Sequence, residues 1–381
     1  MYQPKILFEH PLLHVAYITS YPKKADSLYQ NSAQYFYQIF IQPALAKVKN
    51  SSAKQLIVVP DKNLGHLPFE VFLTEQPDKE MDYANYSYLL KEYSISYSYS
   101  ATLLVLNEAQ QLNRTIPKRG VLAFAAEYEN TIDNDKLTSR RGSDIAVIRK
   151  VLQPLPGAKK EVNMMRKYLY GQFFDGYPAN EATFKEHASD YGIIHLAMHG
   201  VLDGNHPILS SLVFSEDSTT QEDNFLRAYE IAQLNLNADL VVLSACETGY
   251  GKFRQGEGIM SLAHSFTYAG ASSVLMSLWQ VNDYATGQIM KNFYMQIAKG
   301  LTKNEALRQA KLQFIKESKS NTVRHPAFWA AFVQMGDIEP LELVCKTGLT
   351  SSEKKWLTGG SLVFLALLFA WLRSRRRKIA A

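Results

Sequence analysis

The sequence predicts an α/β fold with a mostly parallel sheet sandwiched by helices, and three observations carry that expectation. From residue 158 onward, strand-like and helix-like segments alternate. The strand-like ones, Leu240-Val241-Val242-Leu243 above all, are unbroken apolar runs, which suits strands buried on both faces. The helix-like ones carry one apolar stripe each: Ile259, Leu262, Ala263 and Phe266 recur at i, i+3, i+4, i+7, as do Met290, Phe293, Tyr294 and Ile297.

In chain order, the spacing predicts a helix over Tyr29–Val48 with Pro43 as a site for a kink, then a strand at Gln55–Pro60. The alternating run YSISYSYS at 93–100 suits a half-buried strand. Then follow a helix at Ala158–Tyr168, a strand at Tyr191–Met198, a hairpin-like LSSLVFS segment and a helix at Leu226–Leu234. A strand at Leu240–Ala245, a helix at Ile259–Ala269, a strand at Ser273–Leu278 and a helix at Tyr284–Ala298 complete the series, with Gly300 as a stop signal.

A chain of 381 residues with 46% hydrophobic and 20% charged residues is globular, which excludes disordered, collagen-like and polytopic membrane chains. The net charge of +5 is local. Five basic residues, Arg373, Arg375, Arg376, Arg377 and Lys378, crowd the last nine positions, so residues 1–372 carry 36 basic and 36 acidic side chains. A neutral body argues against nucleic acid as a partner. Trp356–Leu372 is uncharged, with eleven consecutive apolar residues from Leu362 and basic residues on both sides. It reads as a minimal membrane span, against the alternative of a buried terminal helix. The expected location is therefore membrane, single-pass, with the basic tail cytoplasmic. No export signal is visible in the first twenty residues, so the chain is either tail-anchored or the C-terminal part of a longer protein.

In an open parallel sheet, reactive groups collect at the carboxyl ends of strands. YGIIHLAMHG ends in His199-Gly200 and ADLVVLSACETG in Ala245-Cys246. A histidine and a cysteine leaving neighbouring strands at one edge can form a base and nucleophile pair. The usual fate of a free cysteine is that of a small buried hydrophobe, and the His-Gly at the second strand end is what favours the dyad. The N–H groups of Gly200 and Cys246 are the candidate oxyanion hole. Glycines 249, 251, 256 and 258 suit a loop that presents backbone to an extended peptide. His195 is a core or supporting histidine, and Ser244 and Glu247 flank Cys246 in supporting positions.

Other constellations are weaker. His195 and His199 lack the glutamate of a zinc-binding HExxH. CETGYGK lacks the first glycine and the Ser/Thr of a phosphate loop. His206 and His264 have no partner pattern, and Cys345 stands in the stretch before the apolar segment. No metal or cofactor is expected.

IIHLAMHG, LVVLSACETGYGK, GEGIMSLAHSFTYAGASSVLMSLWQVND, EALRQAKLQF, HPAFWAAFVQMGD and, upstream, LIVVPDKNLGHLPFEVF closely resemble the CHAT family, caspase-like and separase-like domains often found with tetratricopeptide repeats. The resemblance implies a caspase-like fold with a pseudo-protease half and an active half, His199 as general base and Cys246 as nucleophile. It assigns 1–25 to a leader or remnant, 26–118 to the pseudo-protease half and 119–338 to the active half. A juxtamembrane linker (339–355), the apolar helix (356–372) and a basic tail (373–381) would follow. Leu278-Trp279-Gln280-Val281-Asn282-Asp283 resembles the family's strand ending, with Gln280 where an acidic residue is common. A substrate pocket of Trp279, Gln280, Asp283 and Glu257, selecting basic P1 residues, is the resulting expectation. The implied activity is that of a membrane-anchored cysteine endopeptidase with protein or peptide substrates, regulated by a tetratricopeptide-type protein or an upstream region. A non-enzymatic caspase-like scaffold is the rival. A thiol acyltransferase or redox sensor is a third reading, and no resolving thiol lies nearby in sequence.

Overall fold

A computed structural model describes residues 15–48, 52–105, 120–128, 148–149, 152–244, 258–279, 282–343 and 346. The described residues begin with a short helix, Val15–Ser20, and α1, Pro22–Phe36. Here the predicted helix starts earlier and its irregularity falls before Pro43. Residues Tyr37–Ile41 form a π turn, in which the Gln42 N–H reaches back to the Tyr37 carbonyl, and Gln42–Leu45 resumes the α-helix. Pro43 has no N–H to donate and its ring crowds the carbonyl four residues back, so the ladder widens there.

Among the described residues, eight strands form one sheet in the order β1-β2-β11-β10-β9-β5-β3-β4. They are β1 (Gln55–Val58), β2 (Ser94–Tyr97), β3 (Val121–Ala125), β4 (Gly171–Asp175), β5 (Ile193–Ala197), β9 (Leu240–Leu243), β10 (Ser273–Ser277) and β11 (Phe332–Gly336). A second, three-stranded antiparallel sheet joins β6 (Gly200–Val201), β7 (Ser211–Val213) and β8 (Phe225–Arg227). In the large sheet only the β10–β11 pairing is antiparallel among the described residues; the rest are parallel. The sheet is therefore two parallel blocks of opposite direction, and β5 and β9 end at the same edge.

Two expectations change. YSISYSYS gives a strand, β2, buried along its whole length, because the helix Lys303–Glu317 packs on it and Tyr97 meets the Glu70 segment. Ser94 is accommodated by partners: its hydroxyl donates to the Lys54 carbonyl and receives the Asn304 amide. The predicted helix at 226–234 shrinks to Ala228–Ile231, because Phe225–Arg227 pairs with β7 instead. Strands β3, β4 and β11 and the helix at Glu181–His187 are additions to the sequence reading.

Helices cover both faces. On the His195 side lie α2 (Pro156–Tyr168) and α5 (Asp283–Ile297), shown by the contacts of His195 with Glu161 and Tyr294. On the opposite side α3 (Glu181–His187) brings Phe184 against Phe124, with ring centroids 5.7 Å apart, and Phe214 joins the same cluster. The helix α4 (Gly258–Tyr268) packs on β10, and α6 (Lys303–Glu317) on α5 and β2. Pro156 presets the first turn of α2, and the Asn282 side chain caps α5 by accepting from the Tyr284 N–H. Gly300 stands at φ +82°, just past α5, in the left-handed conformation that glycine tolerates.

The N-terminal strands are tied to the C-terminal helix by a buried ion pair. Lys311 of α6 lies 3.1 Å from Glu70, whose other oxygen accepts the Tyr97 hydroxyl at 2.7 Å. Burial pulls the Lys311 ammonium pKa down, and Glu70 opposes the shift. Residues up to 344 belong to one compact unit; of the second, Cys345–Ala381, only Lys346 is described. No helix among the described residues is long and apolar enough to cross a membrane. The apolar segment 356–372 lies outside them.

Candidate active site

Strands β5 and β9 pair in register, Ile193↔Leu240 through Leu196↔Leu243, and the Ser244 N–H donates to the Leu196 carbonyl at 3.0 Å. The ends of these two strands are thus side by side. His199 follows β5 by two residues and is wholly buried. Its Nε2 lies 2.6 Å from the carbonyl oxygen of Gln153, in the segment leading into α2. A carbonyl only accepts, so Nε2 carries the hydrogen, and in the neutral ring Nδ1 is the proton acceptor. Tyr128 fixes the rest of the residue. Its hydroxyl accepts the His199 backbone N–H at 2.9 Å and donates to the Val213 carbonyl at 2.6 Å, and its ring lies 4.6 Å from the imidazole.

His195, on the strand itself, points into the α2 and α5 face. Its Nδ1 is 2.9 Å from the Tyr294 hydroxyl and its Nε2 is 3.1 Å from Glu161 Oε1, close but not aligned as a hydrogen bond. The Ser244 hydroxyl donates to the other Glu161 oxygen at 3.2 Å. Burial, reinforced by the Glu161 charge, pushes the Tyr294 phenol well above its ordinary pKa, so it stays neutral.

The remaining predicted residues are placed as follows. Gly200 opens β6, opposite Leu212. Trp279 is nearly buried, its indole N–H donating to the Ala327 carbonyl at 3.0 Å. Asp283, the expected pocket acid, accepts the Gly157 N–H at 3.0 Å and so holds the N-terminus of α2. Cys246, Glu247, Glu257 and Gln280 lie outside the described residues. The structure therefore brings His195 and Ser244 together through Glu161, sets His199 at the same sheet edge, and gives Asp283 a structural partner.

The sequence reading missed Glu161, Tyr128, Tyr294 and Gln153. Glu161 had a signal: Ala158, Glu161, Val162 and Met165 form the buried stripe of α2, and a carboxylate inside an apolar stripe needs a buried partner. Tyr294 was counted only as part of an apolar stripe. Gln153 acts through its main chain, which no side-chain pattern announces.

Among the described residues, one carboxylate group has metal-ligand spacing, Glu181, Glu222 and Glu230. The Lys185 ammonium already stands among them, at 2.7, 2.9 and 3.4 Å. The positive charge there is the protein's own.

The CHAT domain family model matches residues 30–337. The chain belongs to the CHAT domain family. This CHAT domain is 24% identical over 354 residues to human tetratricopeptide repeat protein 28, an alignment covering 84% of this chain and 14% of that protein. The chain thus spans about one seventh of the length of that relative. Among solved structures it is similar to separase in the Saccharomyces cerevisiae separase-securin complex, with a TM-score of 0.43 and 15% identity over 77% of this chain and 16% of that one. It is also similar to the Arg specific cysteine proteinase gingipain R of Porphyromonas gingivalis, with a TM-score of 0.44 and 11% identity over 82% of this chain and 68% of that one.

Proposed function

We propose that this CHAT domain is a cysteine endopeptidase of caspase-like fold, in which His199 activates Cys246. The observation that carries the reading is the His199 setting: a histidine at the carboxyl end of β5, its Nε2 held by the Gln153 carbonyl, beside the strand that leads to Cys246. Cys246 follows Ser244 by two residues in the sequence.

In the proposed reaction the Cys246 thiol proton passes to His199 Nδ1, and the thiolate attacks the scissile carbonyl carbon. The Gly200 and Cys246 N–H groups stabilise the oxyanion. His199 then protonates the leaving amine, and water, deprotonated by the same imidazole, releases the acyl group and regenerates the thiol. A basic P1 preference would rest on Glu257, since Asp283 is engaged at α2. We further propose anchorage through residues 356–372 and regulation by a tetratricopeptide-repeat partner or upstream region.

Turnover of a peptide library by the wild type, absent in a folded Cys246→Ala variant, supports this reading; equal turnover by both removes it. The rival scaffold reading is favoured by one observation, the complete burial of His199. A wild type that binds a partner while showing no thiol activation would establish it.

A further inference from the structure

One carboxylate touches both strands that lead to the proposed dyad. Glu161 Oε1 lies 3.1 Å from His195 Nε2 on β5, and Glu161 Oε2 receives the Ser244 hydroxyl at 3.2 Å at the end of β9. His195 precedes His199 by four residues, and Ser244 precedes Cys246 by two. All three side chains are buried, with His195 at 0% and Glu161 and Ser244 at 3% exposure.

Burying a carboxylate costs several kcal/mol unless its environment compensates it, and an apolar residue on the α2 stripe would fill the space without that cost. The groups around the carboxylate are themselves held. Tyr294 of α5 braces the far nitrogen of His195 at 2.9 Å, and Asp283, at the start of the same helix, fixes the N-terminus of α2 through Gly157. Glu161 is therefore set by two docked helices, and it transmits that setting to the two adjacent strands.

We infer that Glu161 is a positioning residue: its carboxylate ties His195 to Ser244 and so holds side by side the ends of β5 and β9, the strands that lead to His199 and Cys246. The inference rests on the proposed Cys246–His199 function. Glu161 acts on reactivity through strand geometry, by way of His195 and Ser244.

The test follows Cys246 alkylation by iodoacetamide against pH, read by peptide mass spectrometry on the full chain in a Cys345→Ser background. A thiol coupled to His199 reacts well below the ordinary cysteine pKa of about 8.5. Glu161→Ala is expected to lower the rate at pH 6.5 by at least about tenfold and to move the profile toward that of an ordinary thiol. Ser244→Ala is expected to shift it in the same direction by less. Glu161→Gln, which keeps an acceptor for Ser244, is expected to recover most of the wild-type rate. Thermal melts confirm that each variant is folded at the assay temperature. Should Glu161→Ala fail to fold, Ser244→Ala decides. Wild-type profiles in every folded variant overturn the clamp. A wild-type profile that is itself unchanged by His199→Ala overturns the dyad instead, and the two failures are distinct.

Discussion

The imidazole Nε2 of His199 lies 2.6 Å from the main-chain oxygen of Gln153, and Tyr128 holds the same histidine from the other side through its backbone N–H. Removing the Tyr128 hydroxyl strands a buried donor and a buried acceptor together. Tyr128→Phe should cost about 1–3 kcal/mol, read by urea denaturation. It should also slow Cys246 labelling more than the stability loss explains. Labelling at the wild-type rate would show that Tyr128 supports the fold alone.

Asp283 separates two roles cleanly. Its carboxylate accepts the Gly157 N–H, and a Cβ at residue 157 would come 2.5 Å from the Asp283 Cγ. Asp283→Asn should cost about 1 kcal/mol through the weakened N-terminus of α2 and leave P1 preference unchanged. Gly157→Ala should be at least as destabilising. A changed P1 preference in Asp283→Asn would return that residue to the substrate pocket.

The Lys311–Glu70 pair joins the N-terminal strands to α6 across 241 residues. Lys311→Met alone leaves a buried carboxylate uncompensated and should cost about 3–5 kcal/mol, whereas Lys311→Met with Glu70→Leu should recover much of the loss. Chemical denaturation of the three proteins measures this. Equal losses in the single and double variants would mean that the charges are not coupled.

His325 is wholly buried, and burial drives its pKa from 6.5 down to about 3. Between those values the unfolded chain takes up a proton that the folded chain refuses. The stabilising contribution is thus complete above pH 6.5 and is lost as pH falls toward 3, at up to about 1.4 kcal/mol per pH unit. His325→Asn keeps an acceptor for the Ala327 N–H, which His325 Nδ1 now receives at 3.1 Å. Its stability should fall less steeply than the wild type's between pH 6.5 and 4. Parallel slopes would show that acid sensitivity arises elsewhere.

The strands that face helices on both sides were legible in the sequence because burial writes an unbroken apolar run, as in Leu240–Leu243. Alternation misled at 94–97, since serine is small enough to be buried once its hydroxyl finds a carbonyl, as Ser94 does. Phe225–Arg227 reads equally well as helix, and only its pairing with β7 decides for strand. His199 was legible from the His-Gly that ends its strand. Its partners were not: Gln153 contributes a backbone oxygen, and Tyr128 stands 71 residues away in the chain. Glu161 was legible in principle, as a carboxylate on the buried stripe of α2.

The most direct test of the account is labelling of the full chain with a peptide-directed electrophile, comparing the wild type, Cys246→Ala and His199→Ala. The account predicts a label on Cys246 in the wild type, none in Cys246→Ala and a rate at least about a hundredfold lower in His199→Ala, the scale of general-base assistance. Cys246 labelling in His199→Ala as fast as in the wild type would contradict it.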